Sequence, residues 1–197
     1  LITNSDGTKF GKSEGNAIWL DAEMCSPYRF YQFWLNQSDA DVIDRLKVFT
    51  FLSRTEIEDY ARLVEEEPFR RAAQKRLALE VTTLVHGSAA VDAAILASEA
   101  LFGQGDLSVL DAATLEAALD ELPSAEGATG AAVAQLLVDT GLVQTLSEAR
   151  RAIKQGGVYV NNVQVDAEDA SLAAEQLLHG RLAVLRRGKK TLAGVRA

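Results

Sequence analysis

The stretch of this sequence with the clearest chemical potential is short and rich in lysine and glycine: Lys9-Phe10-Gly11-Lys12-Ser13. Two ammonium groups on a loop can close on a triphosphate and neutralise the charge that develops on pyrophosphate as it leaves. Gly11 lets the backbone approach closely, and the Ser13 hydroxyl can donate to a phosphate oxygen. The stretch is not a P-loop, because the Gly-x-x-x-x-Gly-Lys frame is absent. Taken alone, two lysines beside glycines are also typical of a solvated loop.

A second candidate site lies near the end of the chain, where basic residues cluster. Arg150, Arg151 and Lys154 fall on one predicted helix, and the spacing of Arg150 and Lys154 stacks them on one face. The predicted strand pair that follows adds Arg186, Arg187, Lys189 and Lys190. A cluster of this size can neutralise several phosphates, whereas one or two exposed charges would be screened. The alternative is a basic surface that is merely solvated.

The distribution of charge favours the binding interpretation. Of the 197 residues, positions 1–139 carry 11 Lys and Arg against 23 Asp and Glu, a net of −12. Positions 140–197 carry 9 against 5, a net of +4. The overall charge of −8 therefore hides a basic end on an acidic body. Binding to a polyanion depends on the local potential, so this asymmetry indicates an RNA contact at the end of the chain.

The remaining composition excludes several classes of protein. Hydrophobic residues make up 48% and charged residues 24%, as in an ordinary globular chain. No apolar run approaches the roughly 20 residues that span a bilayer, so we expect no membrane contact. The single Cys25 excludes an internal disulfide framework and is typical of the cytoplasm. With one Cys and two distant His, we predict no metal site. The opening Leu1-Ile2-Thr3-Asn4 reads as cut from a longer protein.

The elements that must position the lysine stretch read as helices. Ser26-Pro27 is a good helix start, and Asp39 and Ser53 or Thr55 can cap the next two helices. The aromatic residues around Tyr28–Trp34 have helical spacing, which favours core packing over base stacking. We predict helices to about residue 102, then a region rich in glycine with one short helix near Thr114–Leu119.

From about residue 131 the pattern changes to a small α+β module. Thr145 and Glu148 match a capping box, with Leu146, Ala149 and Ile153 facing a core. Two short strands then flank the turn dipeptide Asn161-Asn162, and a last strand pair surrounds residues 186–190. We therefore predict a mainly α chain with a small α+β end.

This order of elements resembles the S4-type (αL-type) RNA-binding domain. The stretch from Ser147 to Asn161, with its Arg-Arg-x-x-Lys helix, Gly-Gly and Val-Tyr-Val-Asn-Asn, carries the resemblance. S4-type domains occur in a small-subunit ribosomal protein, pseudouridine synthases, a heat-shock ribosome-binding protein and bacterial tyrosyl-tRNA synthetases. The resemblance implies RNA contacts by the seven basic residues and by Asn161.

The lysine stretch is similar to the KMSKS signature of class I aminoacyl-tRNA synthetases, in the KFGKS form common in bacterial tyrosyl-tRNA synthetases. Phe10 replaces Met and Gly11 replaces Ser, while both lysines stay in place. The flanks Asp6-Gly7-Thr8 and Glu14–Leu20 also match, as do stretches near Ser26–Trp34 and Ala72–Ala78. The resemblance covers the whole chain. It implies the end of a catalytic domain at 1–25, a helical tRNA-arm-binding domain at 26–122, a linker at 123–130 and an S4-like domain at 131–197.

The resemblance also implies a function for each part. Lys9 and Lys12 would bind ATP, taken with Mg²⁺, and stabilise the transition state of tyrosine activation, with Ser13 assisting. The helical domain and the S4-like domain would hold tRNA(Tyr), and Asp39 or Asp41 would help to read the anticodon. The full-length enzyme is expected to be a cytoplasmic homodimer. The nucleotide-binding domain with its HIGH-type motif is not found in this sequence, so we expect these residues alone to be inactive.

Two other interpretations stay open at this stage. A non-enzymatic, ribosome-associated protein could use the S4-like module alone, but it leaves the lysine stretch and the helices unexplained. An RNA-modifying enzyme with an S4 appendage would need a catalytic Asp in a mostly β domain after the module. His86 and His179 both stand before glycine at predicted element ends, and we interpret them as surface or cap residues.

Overall fold

The computed structural model describes residues 2–10, 18–102 and 105–197. Their contacts divide the chain into two compact units, Leu1–Ala94 and Ile95–Ala197. The first unit is helical, and the second combines helices with a five-stranded sheet. The prediction of a mainly α chain with a small α+β end is confirmed. No helix in the described part of the chain is both long and apolar enough to cross a membrane.

The described residues of the first unit form four complete α-helices, and a fifth begins in it. They are α1 Pro27–Leu35, α2 Asp39–Phe49, α3 Arg54–Glu66, α4 Ala72–His86 and α5 Ser88–Phe102. Ser26 caps α1 as predicted, and Ser53 forms a capping box with Glu56 at α3. The cap of α2 is Ser38 and not Asp39, because the Ser38 hydroxyl accepts the Asp41 N–H. Serine caps thus set the start of α1, α2 and α3.

The core of the first unit is aromatic where α1 meets its neighbours. Phe30 and Trp34 are buried, with ring centroids 6.1 Å apart in an edge-on arrangement. Phe33 and Phe49 extend the cluster, at 5.3 Å and 4.9 Å from Trp34. Such tilted contacts add to the stabilisation from buried area. The interpretation of these aromatic residues as core, rather than as a stacking platform, agrees with this arrangement.

His86 at the end of α4 should make the stability of the first unit depend on pH. Its ring stands edge-on to Phe30 at 4.8 Å, and its buried Nε2 has no hydrogen-bond partner among the described residues. Burial lowers the pKa of His86. The unfolded chain therefore binds a proton on His86 more readily than the folded chain does. The neutral His86 ring contributes its full stabilisation of the fold only above about pH 6.5, the ordinary pKa of histidine. We expect the wild type to lose more stability than His86→Gln as pH falls through that value. Urea unfolding at pH 7.5 and 5.5 tests this; equal losses would contradict it.

The second unit is a sheet covered by helices. Its elements are α6 Ala112–Leu119, β1 Ser124–Glu126, α7 Val133–Asp139, α8 Leu146–Lys154, β2 Val158–Val160, β3 Val163–Gln164, β4 Leu182–Arg187 and β5 Thr191–Arg196. The strand order is β1-β5-β4-β2-β3, with β1 parallel to β5 and the other pairs antiparallel. Asn161 and Asn162 form the β2–β3 turn at φ of 48° and 66°, as the dipeptide predicted. The core lies between this sheet and helices α7 and α8.

The division between the units differs from the linker that the sequence suggested at 123–130. Within that segment, residues Ser124–Glu126 form β1 and pair with β5. Residues before it also contact the sheet module: the Asn162 amide donates to the Ala100 carbonyl at 2.9 Å, and a Cβ on Gly194 would lie 3.3 Å from Leu119. The contacts place the boundary inside α5, where the uniform helical pattern carries no sequence signal.

Candidate functional site

Helix α8 carries Arg150, Arg151 and Lys154, the three basic residues that were predicted to share one helix. Thr145 caps it, and the Glu148 carboxylate reaches back to the Gln144 N–H at 3.1 Å, one residue earlier than in a standard capping box. Ala149 and Ile153 are buried as predicted. Leu146, predicted to face the core, is 40% exposed, and Ala152 takes the buried position instead. The helix is thus held to the core along one face.

The opposite face of α8 presents Arg150, Arg151 and Lys154, and all three are exposed. The turn between β4 and β5 presents Lys189 and Lys190, which are exposed as well. We call these five residues the basic surface. Long cationic side chains projecting from a rigid helix and a tight turn can follow a phosphate backbone without reordering the fold.

Arg187 connects the β4 end to α8. Its guanidinium forms an ion pair with Glu148 at 2.8 Å and donates to the Leu142 carbonyl at 2.9 Å. The pKa of the Glu148 carboxyl is lowered, first by the Gln144 N–H and then by the charge of Arg187. Arg187 is half-buried. The structure therefore gives it a bracing role beside the basic surface, and an RNA contact by Arg187 stays a prediction.

Arg186 lies inside the module, although the sequence suggested an RNA contact. It is only 2% exposed. Its guanidinium stacks 3.7 Å over the ring of Tyr159, its cross-strand neighbour, and donates to Asn162 Oδ1 and to the Gly188 carbonyl. The register that pairs β2 with β4 explains this placement, because an aromatic residue opposite an arginine offers a cation–π partner. The basic surface therefore does not include Arg186.

Asn161 is also occupied within the fold. Its side-chain amide donates to the Gln176 carbonyl at 2.5 Å, and its Oδ1 accepts the Val184 N–H at 2.8 Å. These bonds brace the β2–β3 turn against β4 and against the segment before it. The function of Asn161 in RNA binding stays a prediction, and the contacts that the structure gives it are structural.

The contrast between Arg186 and Lys189 gives a stability prediction. Arg186→Ala would remove the cation–π contact, leave Asn162 Oδ1 without its donor and open a cavity. We expect a loss of about 2 to 4 kcal/mol in the free energy of unfolding. Lys189→Ala in the neighbouring turn should change stability by less than about 0.5 kcal/mol. Urea denaturation of both variants measures the difference; equal stabilities would show that the buried guanidinium contributes nothing.

The lysine stretch begins on a small hairpin in the first unit. Residues 2–10, here the lysine hairpin, contain an antiparallel bridge between Thr3 and Lys9. Lys9 is exposed, whereas the ring of Phe10 lies 5.5 to 5.7 Å from those of Phe33 and Phe49. Lys12 and Ser13 lie outside the described residues. Lys9, the first lysine of the stretch, is thus exposed to solvent, and the ring of the next residue, Phe10, is packed against the helices.

The two aspartates suggested for anticodon reading have different surroundings. Asp39 is exposed, and its Oδ1 accepts from the buried Gln74 amide at 2.5 Å. Asp41 is half-buried and binds the lysine hairpin: its Oδ1 accepts the Ser5 N–H at 2.8 Å. No sequence pattern indicates the contact between Asp41 and Ser5, because the two residues are far apart in the chain. Within the described residues, no cluster of three His, Cys, Asp or Glu could hold a metal ion.

Comparison with known proteins accounts for both parts of the chain. A family model described as "tRNA synthetases class I (W and Y)" matches residues 1–103. A second, described as "Tyrosine--tRNA ligase SYY-like C-terminal domain", matches residues 114–194. These matches support the synthetase interpretation. They do not support the alternative of a non-enzymatic S4-type protein.

Two individual ligases agree with the family models. The tyrosine–tRNA ligase of Leifsonia xyli subsp. xyli is 66% identical over 196 residues, which is 99% of this chain and 44% of that ligase. The ligase of Streptomyces coelicolor is 57% identical over 195 residues, covering 99% and 46%. A solution structure of a tyrosyl-tRNA synthetase C-terminal domain is 35% identical, with a TM-score of 0.39, and covers 47% of this chain and 94% of that one. This chain spans less than half the length of these two ligases. It belongs to the class I tRNA synthetases of the tryptophan and tyrosine group, and it corresponds to a C-terminal part of the bacterial tyrosyl-tRNA synthetases.

Proposed function

We propose that this chain works as part of a tyrosine–tRNA ligase, which activates tyrosine with ATP and transfers it to the 3′ end of tRNA(Tyr). The chain would supply the lysine stretch for the first step and the tRNA-holding surfaces for the second. Family membership supports the reaction, since both matched family models describe synthetases. The observation that carries the tRNA role is the exposed basic surface at the end of an acidic chain.

In this proposal, Lys9 and Lys12 act on the phosphates of ATP, taken as its Mg²⁺ complex. Two ammonium groups can neutralise the charge that builds up as the α–β phosphate bond breaks and pyrophosphate leaves. Ser13 would donate a hydrogen bond to a phosphate oxygen. Support comes from the exposure of Lys9 and from the similarity of the stretch to the family signature. Part of the binding energy of ATP would be used to position these groups.

The basic surface would hold the tRNA backbone. Phosphate contacts by Arg150, Arg151, Lys154, Lys189 and Lys190 would set the position of tRNA without reading its sequence. Sequence reading needs groups that face base edges, and we assign Asp39 to the anticodon because it is exposed. We do not assign Asp41, because it is half-buried and both of its carboxylate oxygens accept bonds, from Ser5 and Ser38. We also propose that the whole enzyme is a cytoplasmic homodimer.

Two assays on the purified 197 residues test this proposal. The chain should bind tRNA(Tyr), with an affinity that falls steeply as salt concentration rises. It should show no tyrosine-dependent ATP–pyrophosphate exchange, since no HIGH-type motif is found in its sequence. Binding that does not depend on salt would contradict the phosphate role of the basic surface. Measurable exchange would contradict the assignment of tyrosine activation to residues outside this chain.

A further inference from the structure

The lysine hairpin has too little internal structure to hold one conformation by itself. Its backbone bonds run from the Asn4 N–H to the Thr8 carbonyl at 2.8 Å and from the Phe10 N–H to the Ile2 carbonyl at 3.1 Å. Gly7, at φ 84°, closes the turn through its N–H and the Asn4 carbonyl. A lone two-stranded hairpin is at best marginally stable in water. Its position must therefore come from what it contacts.

Helix α2 supplies two of those contacts, one helical turn apart. The Arg45 guanidinium donates from Nη2 to the Thr3 carbonyl at 2.9 Å and to Asn4 Oδ1 at 2.8 Å. The Asp41 carboxylate accepts the Ser5 N–H at 2.8 Å and the Ser5 hydroxyl at 3.3 Å. Residues spaced i and i+4 share a helix face, so both side chains meet the hairpin from the same side. Charged partners make these bonds stronger than neutral ones.

The charged side chain of Arg45 is buried. It is 2% exposed, and its guanidinium also lies 4.3 Å over the Phe10 ring. Burying a cation is costly unless hydrogen bonds and an aromatic face compensate it. Here every compensating group just named belongs to the lysine hairpin. The buried guanidinium therefore favours one docked position of the hairpin over any detached one.

Phe10 connects this anchor to the lysine. Its ring lies 5.6 Å from that of Trp34 and 5.5 Å from that of Phe49. Lys9 directly precedes Phe10 and pairs with Thr3 in the antiparallel bridge. The contacts that hold Phe10 and Thr3 therefore also restrain the backbone of Lys9, whose side chain is exposed. The place from which the Lys9 side chain projects is thus set by contacts of its neighbours.

We propose that Asp41 and Arg45 are positioning residues for catalysis: they dock the lysine hairpin on α2 and so fix where Lys9 projects. This inference rests on the proposed function, in which Lys9 acts on the phosphates of ATP. Asp41 and Arg45 touch no reacting atom; they act through the hairpin. The helical unit would then do more than bind tRNA, since it would also orient one of the groups that act in tyrosine activation.

Hydrogen exchange on the 197-residue chain tests the docking. Asp41→Ala removes both acceptor oxygens, including the one that accepts from the Ser38 hydroxyl, but it keeps the Asp41 N–H that Ser38 caps. We expect the Asn4, Ser5 and Phe10 amides to exchange at least about tenfold faster, with the core amides of α1 and α4 unchanged. Asp44→Ala is the matched control, because Asp44 lies on the same helix and pairs with Lys47 at 2.8 Å. Unchanged exchange in Asp41→Ala would overturn the docking.

A hybrid ligase tests the effect on catalysis. In this hybrid, residues 1–197 replace the corresponding segment of a bacterial tyrosine–tRNA ligase. Asp41→Ala should lower kcat for tyrosine-dependent ATP–pyrophosphate exchange about 10- to 100-fold with the KM for tyrosine unchanged, as expected of a misplaced group. Asp41→Asn keeps one acceptor for the Ser5 N–H and should recover most of the rate. Asp44→Ala should match the wild type.

A double-mutant cycle identifies the residue through which Asp41 acts. If Asp41 works through Lys9, its removal should cost much less in Lys9→Ala than in the wild-type hybrid. The positioning role would be overturned if the fold-loss in kcat of the double variant equalled the product of the two single losses. It would also be overturned by an active hybrid in which Asp41→Ala has normal kcat. An inactive wild-type hybrid would instead refute the proposed function and with it the catalytic role of the hairpin.

Discussion

In the hybrid ligase, Lys12→Ala and Lys9→Ala should each lower kcat for tyrosine-dependent ATP–pyrophosphate exchange by about 10²- to 10³-fold. This is the range for losing one preorganised donor to a developing negative charge, about 2.7 to 4 kcal/mol of transition-state stabilisation. The loss should appear mainly in kcat, because charge on pyrophosphate grows as the bond breaks. Ser13→Ala, which removes a neutral donor, should cost less.

The exposed Lys47 on α2 provides the control for these variants. It pairs with Asp44 at 2.8 Å, and Lys47→Ala removes the same charge from the same helical unit. Its exchange rate should equal that of the wild type. If Lys9→Ala and Lys12→Ala also kept wild-type kcat, the lysine stretch would be an ordinary solvated loop, and the phosphate role would be wrong.

The second large effect concerns tRNA binding by the basic surface. Arg150→Ala combined with Lys154→Ala should weaken tRNA(Tyr) binding by about 10- to 100-fold at about 0.1 M salt. The slope of log affinity against log salt should become shallower by about 1.4 to 1.8, because two phosphate contacts are lost. Arg151 is left in place because its charge also acts on Glu148 at the start of α8. Fluorescence titrations at several salt concentrations measure both quantities.

Two other arginines of the same unit give a control with equal charge. Arg181 pairs with Glu116 at 2.9 Å, and Arg196 pairs with Asp120 at 2.6 Å. Because each already faces a carboxylate, Arg181→Ala with Arg196→Ala should change the salt slope much less. Equal changes in the two double variants would show that only net charge matters, and α8 would lose its special role.

Much of the fold was predictable because it depends on local signals. Ser26, Ser53 and Thr145 cap helices where the sequence places them, and α6 lies where the short helix was predicted. The Asn161-Asn162 turn follows from the tolerance of asparagine for positive φ. Each of these features is decided within a few residues, so pattern reasoning reaches it.

The departures share a different cause, which is contact between distant residues. Arg186 is buried because the β2–β4 register brings it opposite Tyr159. Counting from the Asn161-Asn162 turn alone does not give that register, since β4 lies well beyond β3. Strand β1 is three residues of ordinary composition, and only its pairing with β5 makes it a strand. Residue type alone therefore does not identify a basic residue in a predicted RNA-binding module as an RNA contact.

The same reasoning applies to the lysine stretch. Its residue types and its spacing indicate phosphate chemistry, but nothing local indicates that Asp41 and Arg45 hold the hairpin before it. Those contacts join residues about 40 positions apart and depend on how α2 packs. The family resemblance offered Asp39 or Asp41 for anticodon reading, because it implies an acidic residue early in the helical unit. The geometry also gives Asp41 a partner on the hairpin.

Charging of tRNA(Tyr) with tyrosine by the hybrid ligase tests the central claim most directly, because it requires both the lysine stretch and the tRNA-holding surfaces to work together. We predict that the hybrid charges tRNA(Tyr) at a rate within about tenfold of the parent ligase, and that Lys12→Ala and Arg150→Ala with Lys154→Ala each impair it. A folded hybrid that activates tyrosine but transfers none to tRNA(Tyr) would contradict the claim that this chain holds the tRNA.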